Sequence, residues 1–149
     1  MSLLAPQKGM NVATLLDIQK SDRALVEDLY RKKLLKKKQV LTYAEFIGQN
    51  EADLEDAFER AFYVDIVNSE FKREMKTPLD VAKLNTKESR TLRAIEAYLA
   101  NNPFKSGAFG HYRPARYFSE NITELWPKVS DVTKDRFEAM FKQLNALLK

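Results

Sequence analysis

Apolar positions change their period along this chain. From Val12 to Leu16 they run almost without a break, Val12-Ala-Thr-Leu-Leu, and end on Asp17, with Gly9 before them and polar Gln19 to Asp22 after. A short apolar run bounded in this way predicts a buried parallel strand. Ser21 then stands as an N-cap before a helical pattern of Ala24, Leu25, Leu29, Leu34 and Leu35. Lys32, Lys33 and Lys36 to Lys38 lie toward the end of that pattern, where cations suit the helix dipole. Gln39 to Tyr43 is a second β-prone run. Strand, crossover helix and strand together predict a parallel βαβ unit over the first part of the chain.

From Asp53 onward the period is helical. Leu54, Phe58, Phe62, Ile66 and Val67 continue it toward Phe71, with a break expected near Arg60 to Phe62, and Pro78 ends the segment. Thr86 is expected to open the next helix, which carries Leu92, Ile95, Tyr98 and Leu99 and closes at Asn101-Asn102-Pro103. After the small-residue loop Lys105 to Gly110, helices are expected from about Arg113 to Leu125 and from about Val132 to Leu148. The last shows Phe137, Met140, Phe141, Leu144 and Leu148 at helical steps, a stripe expected in the core. The pattern therefore predicts an α/β protein: a partial parallel sheet of two N-terminal strands joined by a crossover helix, then a mainly helical C-terminal region. The division falls at residues 1–50 and 51–149.

Composition narrows the chemistry. The chain has 149 residues, no cysteine and a single histidine, His111, so thiolate metal sites are excluded, a histidine-based zinc site is not expected, and any bound metal is expected to be held by oxygen. No apolar stretch approaches the roughly 20 residues a membrane helix needs, and no signal-peptide pattern opens the chain. A cytoplasmic protein without a membrane partner is expected. A net charge of +4 permits nucleic-acid binding without requiring it.

Two acidic landmarks carry the candidate chemistry. Asp17 comes at the C-terminal end of the first strand, the edge where open α/β sheets gather their functional groups, and Glu51-Ala-Asp-Leu-Glu55-Asp56 follows downstream. Such carboxylates either form a site for a hard cation or do local work, with Asp17 capping a helix and the cluster occupying a first helical turn. His111, Tyr112, Arg113 and Arg116 either meet phosphates and bases or pack and pair on the surface; the second reading is the simpler.

Three stretches resemble a known family: Asn11-Val-Ala-Thr-Leu-Leu-Asp17-Ile-Gln19, Glu51 to Asp56, and Lys105-Ser-Gly-Ala-Phe-Gly-His-Tyr-Arg-Pro-Ala-Arg116. Together they are similar to the C-terminal half of the Toprim domain, with its trailing helical region, in ATP-dependent nucleases of the OLD (overcoming lysogenization defect) family. The resemblance implies a fragment of a Mg²⁺- or Mn²⁺-dependent DNA endonuclease. It assigns Asp17 and Glu55 as metal ligands and catalytic carboxylates, and Lys105 as a catalytic cation that offsets charge on the scissile phosphate. Gln19 stands where the family pattern has a second aspartate, so it adds a metal donor without charge.

ATP, on the same resemblance, binds only the missing N-terminal part, since no G-x-x-x-x-G-K-[ST] occurs in this sequence. The isolated chain is accordingly expected to be inactive, with DNA as the partner of the parent protein. Self-association of the incomplete sheet into a homo-oligomer is also expected. The alternative is a non-catalytic scaffold whose helices bind nucleic acid or protein.

Overall fold

In a computed structural model, residues 13–17, 23–32, 36 and 39–148 are described. The sheet has the expected form. Strands β1 (Thr14–Leu16) and β2 (Val40–Thr42) pair in parallel, Thr14 with Val40, Leu15 with Leu41 and Leu16 with Thr42. Between them runs helix α1 (Arg23–Arg31). Its last turn is closed by the Asp28 carboxylate, which pairs with Arg31 and, at 2.6 Å, with Lys32. Ser21 and residues 33–35 of the expected helix lie outside the described residues, as do Val12 of the expected strand and Gln19.

Beyond β2 the described chain is helix and loop, so the α/β arrangement with a two-stranded parallel sheet and a mainly helical remainder holds. The helices are α2 (Tyr43–Ile47), α3 (Arg60–Glu70), α4 (Thr91–Asn101), α5 (Tyr112–Glu120), α6 (Ile122–Leu125) and α7 (Asp131–Leu147). None among the described residues is long and apolar enough to cross a membrane. The chain divides into two compact units, Met1–Ala57 with Asp135–Lys149, and Phe58–Lys134.

In the first unit the chain turns sharply after β2. Helix α2 lasts five residues and stops at Gly48, whose φ of 76° lies in the left-handed region that glycine enters at little cost. A 3₁₀ turn, Leu54–Ala57, follows. The Asp56 carboxylate accepts the Asp53 amide at 2.9 Å, which caps this turn from within. Arg136 of α7 donates to the carbonyls of Ala57 at 3.1 Å and Asp56 at 3.4 Å, satisfying oxygens that a short helix leaves open.

The second unit is built around Phe71, which is fully buried. Val64, Val67, Ile95, Leu79 and Leu84 pack in the same cluster, and the Phe104 ring stacks on Phe71 at 4.9 Å. The Arg113 guanidinium lies 4.2 Å from the centre of the Phe71 ring. It also donates to Glu70 at 2.7 Å and Glu74 at 3.0 Å, so α5 is tied to the end of α3 by charge as well as by packing. The simpler reading of Arg113, packing and ion pairing, is the observed one. Asn68 adds a second tie: its carboxamide accepts from Leu79 N at 2.7 Å and donates to Leu79 O at 3.0 Å, taking the place of a backbone partner.

Four expectations need correction. The helix expected from Thr86 begins at Thr91, because Asn85 and Glu88 accept the amides of Lys87 and Arg90, each at 3.0 Å. Such local bonds compete with helix formation, and Arg60 holds the same segment by donating to Glu88 O at 2.6 Å and Ser89 O at 2.9 Å. The break expected at Arg60 to Phe62 falls earlier, between the 3₁₀ turn and Arg60, and Leu54 is 44% exposed rather than part of a helical face. The helix expected from Arg113 to Leu125 is interrupted at Asn121, whose side chain donates to Tyr117 O at 2.8 Å. Finally, the stripe on α7 is split: Met140 is 1% exposed but its neighbour Phe141 is 61% exposed.

Phe71→Ala should destabilise the protein by about 3–5 kcal/mol, the usual cost of emptying a buried phenylalanine site. Urea denaturation followed by circular dichroism reads this directly.

Candidate metal centre at the sheet edge

A parallel pair ends both of its strands on one edge. Leu16 pairs with Thr42, so the next residues, Asp17 and Tyr43, leave the sheet side by side at its C-terminal edge. Asp17 is exposed there and Tyr43 is half-buried. Tyr43 opens α2, and Thr42 before it donates its hydroxyl to the Glu45 carboxylate at 3.0 Å, which ties the strand end to the helix start.

Glu55 arrives by a second route. It sits in the 3₁₀ turn Leu54–Ala57, which packs against α2. Within the acidic cluster, Asp53 and Asp56 are buried, with Asp56 engaged in the cap described above, whereas Glu51 and Glu55 are half-buried. The Tyr43 phenol connects the two landmarks: its pKa is raised above the ordinary 10.0, first by burial and then by the negative charges of Asp17 and Glu55. Both carboxylates thus act on one hydroxyl. Their separation in sequence is bridged by β2, α2 and the 3₁₀ turn.

Two carboxylates sharing a neighbourhood repel one another, and a divalent cation relieves that repulsion. Mg²⁺ commonly takes only one or two carboxylates and keeps several waters, so Asp17 and Glu55 are of the donor type, hard carboxylate oxygen, that such an ion takes. Among the described residues no group of three or more acidic or histidine side chains is placed to hold a metal ion. Gln19, the third expected donor, lies outside the described residues.

Lys105 belongs to the second unit, where it is exposed and its amide donates to Glu74 O at 2.8 Å. Its neighbours along that bonded stretch are Lys72, Arg73 and Lys76. Tyr43 is the group that sequence reading passed over, because it was taken as the last residue of the strand. Counting one residue past the paired strands, alongside Asp17, would have found it.

No protein-family model matches this chain, and neither a curated protein nor a solved structure does.

Removing either charge should lower the Tyr43 pKa, since a nearby carboxylate disfavours the phenolate. Asp17→Asn and Glu55→Gln are each expected to move it toward 10.0 while leaving it above that value, because burial, the larger cause, remains. The alkaline absorbance titration, taken as a difference from Tyr43→Phe, measures it.

Proposed function

We propose that this chain supplies the carboxylate part of a metal-dependent phosphodiesterase site, as the Toprim region of an OLD-like, ATP-dependent DNA endonuclease. The observations that support the reading are that Asp17 and Tyr43 follow paired strand ends at one sheet edge and that the charges of both Asp17 and Glu55 raise the Tyr43 pKa. Asp17 and Glu55 would hold Mg²⁺ or Mn²⁺, with Gln19 as a neutral donor. When bound, the ion activates the attacking water and stabilises the departing oxygen. Tyr43, a phenol protonated at neutral pH, would offer a hydrogen-bond donor near the same charges. Lys105, the cation that the resemblance assigns to the phosphate, lies in the other unit and is not part of this metal set. ATP belongs to a segment of the parent protein outside this sequence, and the chain alone is not expected to cleave DNA.

Electron paramagnetic resonance of unbound Mn²⁺ tests the metal set. The wild-type chain should bind the ion, and Asp17→Asn or Glu55→Gln should weaken binding by roughly tenfold to hundredfold or more, since loss even of an outer-shell partner costs about that much. Gln19→Asp should tighten binding by adding a charged ligand. Binding untouched by both carboxylate substitutions, or no binding at all, contradicts the reading and leaves the scaffold alternative.

A further inference from the structure

One end of the second unit carries a concentration of positive charge that neither the fold nor the metal site uses. Lys72 and Arg73 lie in the turn that follows α3, Lys76 comes just after it, and Lys105 is fastened to the same turn through its amide, which donates to Glu74 O at 2.8 Å. All four are exposed. The acids nearby are already engaged: Glu74 accepts from Arg113 at 3.0 Å, and Glu70 is met by Arg113 at 2.7 Å and Arg116 at 3.6 Å. None of the four is ion-paired with another described residue. Four like charges on two bonded backbone segments cost free energy in isolation, and an anionic partner removes that cost.

Beside these cations lies a cleft of about 290 Å³ between the turn and the C-terminal end of α4. Met75, Lys76, Tyr98, Asn101, Asn102 and Phe104 are among its walls. Ligand pockets run from about 300 Å³ upward, so this one suits a single flat ring system rather than a larger molecule. Asn101 and Asn102 each donate one amide hydrogen, to Ala97 O at 3.2 Å and Tyr98 O at 3.0 Å, and their carboxamide oxygens remain as acceptors for an amino group. A small half-apolar cleft with amide acceptors, rimmed by unpaired cations, matches one repeating chemistry: a base with phosphates on either side.

We propose that this end of the second unit binds single-stranded nucleic acid, with one unpaired base in the cleft and the flanking phosphates on Lys72, Arg73, Lys76 and Lys105. Backbone contacts by cations supply affinity that falls with salt, and an unstacked base in a pocket favours a single strand over a duplex. The inference shares with the metal-site reading only the class of partner. It rests on other residues, and it is tested with EDTA present, so either can fail alone.

Fluorescence anisotropy with a labelled oligodeoxycytidylate, a single-ring base that carries an amino group, reads the outcome. The wild-type chain should bind the strand more tightly than a duplex of the same length. Replacing Lys72, Arg73, Lys76 and Lys105 together by Ala should weaken binding tenfold or more and flatten the salt dependence by about 0.7 per lost contact. A control with Lys83, Lys87, Lys134 and Lys142 replaced by Ala carries the same change in charge and should bind within a few-fold of wild type. A strand with abasic positions should bind several-fold more weakly than the intact one. Circular dichroism checks the fold, and the single charge reversal Lys105→Glu gives the same direction if the fourfold variant is unfolded. The proposal is overturned if the wild-type chain binds no strand, if the cation variants bind as tightly as wild type, or if the control loses as much. Equal affinity for abasic and intact strands, or a preference for anionic phospholipid vesicles over the strand, also overturns it.

Discussion

Parallel pairing of β1 and β2 is the constraint from which the candidate site follows. Antiparallel neighbours send successive strand ends to opposite edges, but a parallel pair needs a crossover and brings both ends to the same edge. With Leu16 opposite Thr42, whatever follows each strand meets at that edge, and here Asp17 and Tyr43 follow. The immediate turn into α2, the Gly48 stop and the 3₁₀ turn return the chain against α2, so that the Glu55 charge adds to that of Asp17 in raising the Tyr43 pKa. Each device is local and small. A one-residue slip in either strand would change which side chain leaves the sheet beside its partner.

The second unit is held by a different kind of constraint. Its helices are joined by side chains that answer backbone and charge at once: Asn68 bonding both polar groups of Leu79, Arg60 donating to Glu88 and Ser89, and Arg113 spanning Glu70, Glu74 and the Phe71 ring. These bonds pull acids and arginines into pairs. The lysines and Arg73 around the following turn are left as the uncompensated charge, and this is why a basic end exists in a chain of modest net charge.

Legibility of the fold in the sequence follows the physics of each element. Contiguous apolar residues before Asp17 and the β-prone run ending near Tyr43 marked the strands, but the burial expected of the first was not met: β1 is half-buried along its length, and only Val40 and Leu41 of β2 are buried. Helix α7 was legible from its period, yet the period could not tell Met140, which is buried, from Phe141, which is not. The start of α4 was missed because it depends on side chains of Asn85 and Glu88 turning back on the chain and on a distant residue, Arg60. In the site, Asp17 was visible as a strand end, whereas the role of Tyr43 required the register between strands. Lys105 was singled out alone; its association with Lys72, Arg73 and Lys76 comes from one backbone hydrogen bond that no spacing in the sequence encodes.

The proposed function stands on Asp17 and Glu55 sharing one ion near Tyr43. Paramagnetic broadening in amide spectra tests this most directly, because Mn²⁺ at low occupancy erases the signals nearest to it. The amides of Asp17, Tyr43 and Glu55 should fade together and before any others, and Asp17→Asn should restore all three. Fading of Asp17 without Glu55, or fading spread over acidic residues elsewhere, would contradict a shared site.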